Sequence, residues 1–257
     1  MNLKQLFHIQ EVLKESGYFD ISRIANEIYN YSVERDIPLD SILERIKNQE
    51  PWEHIQGFTE FRGRKFLVTK DTLIPRIESE QLVDLAKDLI SKNSIKTVID
   101  IGTGSGCLII SIANEIEEND IHFIGTDISE KALHIAKKND STGRINFYKK
   151  DLIRKEEVED NTLIVANLPY IPTKMYEELE KSVKEYEPQL ALDGGKDGLL
   201  YYKRLIEEVV ISKKRVLLLI EIEPSTLNKL VEVNKNIPSE VFQDFNKRNR
   251  FVLFHFS

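Results

Sequence analysis

Apolar residues recur at helical spacing through residues 1–50: Leu3, Leu6, Phe7 and Leu13, then Ile21, Ile24, Ala25 and Ile28, then Ile42, Leu43 and Ile46. Steps of three and four predict about three amphipathic helices, with Asp20 placed to cap the second and Pro38 followed by Asp40-Ser41 opening the third. At Pro51 the texture changes, and Thr59-Glu60-Phe61-Arg62-Gly63-Arg64-Lys65-Phe66-Leu67-Val68 reads as two strands turning near Gly63. Beyond Pro75 the patterns alternate. Helices are predicted near Ser79–Ser91, Cys107–Glu115, Glu130–Asn139, Leu199–Ile211 and Thr226–Asn234. Strands are predicted at Thr97–Ile101, His122–Thr126, Asn146–Tyr148, Thr162–Ala166, Arg215–Glu221 and Phe251–Phe256.

Such alternation implies an α/β fold whose parallel strands carry crossover helices on both faces. The expected organisation is a helical unit over residues 1–50, a β-hairpin connector over 51–72 and the α/β domain over 73–257. With 41% hydrophobic and 31% charged residues, the composition excludes wholesale disorder. The net charge is −7, and residues 1–50 carry six basic against nine acidic side chains, so neither region offers a general grip on nucleic acid or acidic membranes. The helical unit is therefore expected to face a protein or to be structural. Cys107, the one cysteine, excludes an internal disulfide and reads as a small buried apolar residue suited to a reducing cytoplasm. The start Met1-Asn2-Leu3-Lys4-Gln5 has no leader-like apolar run, so a soluble cytoplasmic protein is expected. His54, His122, His134 and His255 are scattered without ligand spacing, so no metal is expected, and Trp52 reads as core packing.

The strongest chemical signal is Val98-Ile99-Asp100-Ile101-Gly102-Thr103-Gly104-Ser105-Gly106-Cys107, an apolar strand running into a glycine turn and a helix. Glycines at alternate positions let the backbone fold sharply and approach a ligand at the strand's carboxyl end. A dinucleotide fingerprint would place glycine or alanine where Cys107 stands. The spacing Gly-x-Gly-x-Gly, with an acid two residues ahead, resembles motif I of methyltransferases that use S-adenosyl-L-methionine. Asp127 closes the next strand, where it can accept hydrogen bonds from both ribose hydroxyls while Ser129 caps the following helix. In such folds Asp151 would meet the adenine amino group, and Leu152 would pack on the base.

Val165-Ala166-Asn167-Leu168-Pro169-Tyr170-Ile171-Pro172 follows another strand and resembles the Asn-Pro-Pro-Tyr motif of methyltransferases acting on planar, amide-like nitrogens. An amide nitrogen is a poor nucleophile because its lone pair is delocalised, so it must be oriented and polarised. The side-chain oxygen of Asn167 and the main-chain carbonyl of Leu168 can each accept one of its N–H bonds, and Tyr170 offers a face for the planar group.

Three further stretches extend the likeness: Leu73-Ile74-Pro75-Arg76-Ile77-Glu78-Ser79-Glu80, then Glu187 to Leu199, then Asp244 to Val252. With them the chain resembles, over essentially its whole length, the peptide chain release factor glutamine methyltransferases, the HemK/PrmC family. The resemblance implies a Rossmann-like class I methyltransferase sheet with a small N-terminal helical domain joined by a β-hairpin. It implies S-adenosyl-L-methionine as donor, S-adenosyl-L-homocysteine as product, and class 1 release factors as partners, methylated at N5 of the glutamine in their Gly-Gly-Gln loop. Carried over, Gly102, Thr103, Gly104, Ser105, Gly106, Asp127, Asp151, Leu152 and Asn167 would hold the donor. Asn167, Leu168, Pro169 and Tyr170 would form the catalytic set and bind the glutamine, with Arg76 on the bordering Pro75-Arg76 loop. Leu168 departs from the family proline, which keeps the carbonyl but adds an N–H and frees φ. Ile77 also replaces a proline, and Glu223 a glycine. Three alternatives stand beside this reading: a nucleic-acid amino methyltransferase, which predicts a basic surface, a ribosomal-protein glutamine methyltransferase, and a release-factor-binding module without activity.

Overall fold

The computed structural model describes residues 2–118 and 120–257; Met1, the first residue of the run read for a leader, and Asn119 lie outside the described residues. Helices α1 (Leu3–Glu15), α2 (Ile21–Arg35) and α3 (Leu39–Lys47) follow the predicted periodicity, and the short α4 (Trp52–Gln56) closes them. Their apolar faces share one core that includes Ile9, Leu13, Ile28, Leu43, Ile46 and Trp52. The Trp52 indole N–H donates to Glu27 (2.9 Å), so burying it strands no polar group. At about 100° per residue, Leu3 and Phe7 fall off the face made by Ile9, Val12 and Leu13, and both stay exposed. Asp20 stands at the N-cap of α2 without the expected capping bond, because its carboxylate pairs with Arg23 instead (2.6 Å).

Strands β1 (Phe58–Phe61) and β2 (Arg64–Leu67) form the hairpin, with Arg62 and Gly63 both at positive φ (52° and 66°). A two-residue turn of that hand matches the twist of its strands. Phe61 and Phe66 pack edge to face, with centroids 6.1 Å apart, inside the core of the following domain rather than that of the helices. The Arg62 guanidinium donates to Glu115 (3.0 and 2.7 Å), and the Asn139 side chain both accepts from and donates to the backbone of Leu67. The connector is thus stitched to the domain it leads into.

The domain is built on β3 (Thr97–Ile101), β4 (His122–Asp127), β5 (Ile145–Lys149), β6 (Thr162–Ala166), β7 (Val216–Glu221), β8 (Ser239–Gln243) and β9 (Asn249–Phe256) in the order β5-β4-β3-β6-β7-β9-β8. β3 to β7 run parallel, and β9 lies antiparallel between β7 and β8. Every residue of β3 and β6 is buried, the mark of central parallel strands covered on both faces. One face carries α5 (Glu80–Lys92), α6 (Cys107–Glu115) and α7 (Glu130–Asn139). After the short α8 (Thr173–Glu177) and α9 (Lys181–Lys184), the other face receives α10 (Leu200–Ser212) and α11 (Pro224–Val233). The pattern did not predict β8: it is an edge strand whose Glu240, Val241 and Gln243 are exposed, so it carries little of the alternation that a half-buried strand shows. From β3 the chain builds outward to β5 on one side and to β7 on the other, so the order reverses between β3 and β6. A crevice opens at the carboxyl ends of strands at such a switch point. No helix among the described residues is long and apolar enough to cross a membrane.

Candidate active site

A cavity of about 360 Å³ occupies that crevice, lined among others by Gly102, Gly104, Asp127, Asp151, Leu152, Asn167, Leu168 and Pro169. Strand ends β3, β4 and β6 each deliver their residue by the same device, a buried strand that stops where the chain must turn. At β3, the N–H groups of Gly102 and Thr103 both donate to the carbonyl of Thr126 (2.9 and 2.8 Å). Gly102 has φ +74°, a conformation that strains any side chain, and a β-carbon there would stand 2.9 Å from Cδ2 of Leu168 and push it aside. Thr103 and Ser105 are buried behind the loop, and Gly106 opens α6; these three of the loop's five expected donor residues shape it and do not line the cavity.

Asp127 serves the loop and the cavity together. One carboxylate oxygen accepts the Gly104 N–H (2.9 Å), the other accepts the Ser129 N–H (2.8 Å), and Ser129 caps α7 through its own hydroxyl. Each oxygen keeps a free lone pair for a ligand hydroxyl. Burial pushes the Asp127 carboxyl above its ordinary value, while the backbone donors pull the other way. Asp100 lies beneath the loop, outside the cavity. It accepts from the Thr103 hydroxyl (2.6 Å), and burial pushes its carboxyl up to about 7. At the rim Asp151 pairs with Arg204 (2.9 Å). Leu152 is buried with φ +62°, a left-handed conformation that costs a leucine about 1–2 kcal/mol and that aims its side chain into the cavity wall.

The β6 end is held by residues distant in the chain. The Asn167 side chain donates from Nδ2 to Glu221 (3.0 Å) and to the Ser79 hydroxyl (3.1 Å), which leaves Oδ1 with no partner among the described residues. Leu168 donates its N–H to the Tyr202 hydroxyl (3.1 Å), so the donor introduced by the departure from proline is satisfied. That hydroxyl lies 3.0 Å from the Leu168 carbonyl and closer still to the carbonyl of Glu221, to which its single proton goes. The Leu168 carbonyl is thereby left free to accept. Tyr170 is half-buried against the core beneath the site and does not line the cavity. Its loop is strapped by the 187–199 stretch: Gly194 donates to the Ile171 carbonyl (2.8 Å), and a β-carbon on Gly194 would come within 2.6 Å of the Pro169 carbonyl.

Arg76 lies in a neighbouring cleft of about 780 Å³, between the helical unit and the loops around residues 74–78 and 180–187. Its guanidinium pairs with buried Glu187 (2.5 Å), which also accepts the Ile74 N–H (2.9 Å). Tyr202, Arg204 and Glu221 line or hold the site yet carry no local motif, and Ser79 lies in the Leu73–Glu80 stretch, where no role fell to it. Glu221 had one available signal, an acid ending an otherwise apolar strand. Among the described residues no three His, Cys, Asp or Glu side chains are placed to hold a metal ion.

The cavity fits S-adenosyl-L-methionine. Its apolar wall of Ile101, Ile128, Leu152 and Leu168 suits a purine, the Asp127 carboxylate suits a ribose diol, and the side-chain-free backbone at Gly102 and Gly104 leaves room for the amino-acid chain.

A family profile described as "Methyltransferase domain" matches residues 92–187. The chain is 38% identical over 175 residues to a release factor glutamine methyltransferase of Flavobacterium psychrophilum, a match covering 65% of this chain and 61% of that protein. The chain thus spans about three-fifths of that relative's length. To the release factor glutamine methyltransferase of Mycoplasma mycoides it is 33% identical over 230 residues, covering 86% and 79% of the two chains. Among solved structures, the N-terminal domain of human METTL16 in complex with SAH superposes with a TM-score of 0.51 at 18% identity over 75% of each chain, a likeness of fold alone. The sheet is that of a class I methyltransferase, and the chain belongs to the release factor glutamine methyltransferase family.

Proposed function

We propose that this chain methylates the side-chain amide nitrogen, N5, of the glutamine in the Gly-Gly-Gln loop of class 1 peptide chain release factors, with S-adenosyl-L-methionine as donor. The observation that carries the reading is Asn167: both of its N–H bonds are used inward, so an acceptor oxygen faces a cavity fitted for the donor. When bound, the donor supplies an electrophilic methyl group on sulfonium sulfur. The chain's own residues then present the nucleophile. Asn167 Oδ1 accepts one N–H of the glutamine amide and the Leu168 carbonyl accepts the other, which fixes the plane of the amide and enriches its nitrogen. Pro169 bounds the planar group, Tyr170 supports that loop from the core, and Asp127 holds the donor's ribose on the opposite side.

The helical unit of residues 1–50, the connector 51–72 and the methyltransferase domain 73–257 divide the work in this reading. Exposed Phe19 and Ile77 and the Arg76–Glu187 pair border the cleft between the helices and the domain, a surface suited to a protein in the cytoplasm rather than to nucleic acid or membrane. The test is transfer of labelled methyl from S-adenosyl-L-methionine to a purified release factor, beside the same factor with its Gly-Gly-Gln glutamine changed to alanine. Label that disappears with the alanine is expected. Label on DNA or RNA offered in parallel, or label that survives the alanine change, overturns the reading.

A further inference from the structure

An asparagine amide has nearly the same shape after a half-turn about its last bond, so only its hydrogen bonds decide which end faces a substrate. The choice matters at Asn167. With Oδ1 outward it accepts from a glutamine amide, whereas with Nδ2 outward two donors would meet head on. We propose that Glu221, assisted by Ser79, is a positioning residue that locks Asn167 with Oδ1 toward the substrate. The inference rests on the proposed function and deepens it by assigning what organises its central residue.

Three hydrogen bonds close a triangle that has one consistent assignment. The Ser79 hydroxyl donates to Glu221 Oε2 (2.6 Å), Asn167 Nδ2 donates to the same oxygen (3.0 Å), and its second N–H reaches Ser79 Oγ (3.1 Å). An ionised carboxylate only accepts, and the serine proton is already committed to it, so a flipped amide would set Oδ1 against two acceptor oxygens. Glu221 is 1% exposed at the end of β7, a place where an apolar residue would pack without desolvating a charge. Its other oxygen faces Arg250 at 4.0 Å. Arg250 is itself fixed by buried Asp244 (2.9 Å), which also accepts the N–H groups of Asn246 and Arg248 (2.9 and 3.0 Å). The segments 73–80 and 244–252, both singled out in the sequence, thus meet behind Asn167.

Burial pushes the Glu221 carboxyl up to about 7. Around it, Arg250 and Arg76 favour the ionised form and Glu78 opposes it. Tyr170, Tyr202 and Cys107 face it from the 167–172 loop, from α10 and from α6. As pH falls through that value Glu221 gains a proton, becomes a donor itself and loses its hold on the orientation.

The test pairs a spectroscopic reading with a rescue. The side-chain NH₂ signals of Asn167, identified by their loss in an Asn167 variant, should shift as pH passes about 7 in the native chain and stay fixed in Glu221→Gln. In methyl transfer, Glu221→Gln should lower kcat by about 10- to 100-fold with donor affinity unchanged, and Ser79→Ala, a milder change, should lower it less. Asn167→Asp places two carboxylates together. Adding Glu221→Gln to it restores a donor–acceptor pair with an oxygen still outward, and should raise the rate about tenfold over Asn167→Asp alone. NH₂ signals indifferent to Glu221, with a double variant no faster than Asn167→Asp, overturn the proposal. If no methyl reaches the release factor, the functional reading falls, while the NH₂ signals still decide the positioning role.

Discussion

The two halves of the cavity are held in opposite ways. On the donor side the loop's own fixtures are short in sequence, Thr103 to Asp100 three residues away and Gly104 to Asp127 across 23, and only the rim pair Asp151–Arg204 spans 53. On the acceptor side Asn167 depends on Ser79 across 88 residues and on Glu221 across 54, and Leu168 on Tyr202 across 34, all through side chains. A site can thus join a half held mainly by two neighbouring strand ends to a half that exists only once the whole domain has closed. The first should tolerate distant changes, and the second should transmit them.

Substitutions can break this contrast if it is wrong. The largest effect is expected from Asn167→Ala, which removes the acceptor itself and should cut turnover at saturating donor by about 100-fold or more, well beyond any loss of donor affinity. Equal loss in both quantities, measured by steady-state kinetics and calorimetry, would merge the two halves. Asp127→Ala should do the reverse, weakening donor binding by about 1.5–3 kcal/mol, with turnover largely recovered at saturating donor. Smaller again is Tyr202→Phe, which strands the buried Leu168 N–H and should cost about 1–2 kcal/mol in denaturant unfolding. In a Leu168→Pro background that penalty should shrink, because the stranded donor no longer exists; an undiminished penalty would remove the hydroxyl from this role.

The same contrast explains what could be read from the sequence. Gly102 to Gly106, Asp127 and the Asn167–Tyr170 run announce themselves because each is a short string at a strand end, and the sheet followed from its apolar runs. Glu221 stayed silent, and Ser79 stood in a quoted stretch without a role, because their tie to Asn167 spans 54 and 88 residues of chain. Arg76 had a motif but not a location: its neighbours place it in the adjoining cleft, three residues from Ser79, which does reach Asn167. The Asp20 cap failed for a local reason, since Arg23 one turn on competes for the carboxylate.

The stitched hairpin bears on how a partner is chosen. Were residues 51–72 a loose tether, the helical unit could take hold of another protein at many separations from the cavity. Instead Arg62 and Leu67 are fastened to helices on one face of the sheet, so the segment that leads out of the helical unit is braced against the domain. Under the proposed function a release factor held at the helical unit would thus meet the cavity across a braced segment rather than a free tether.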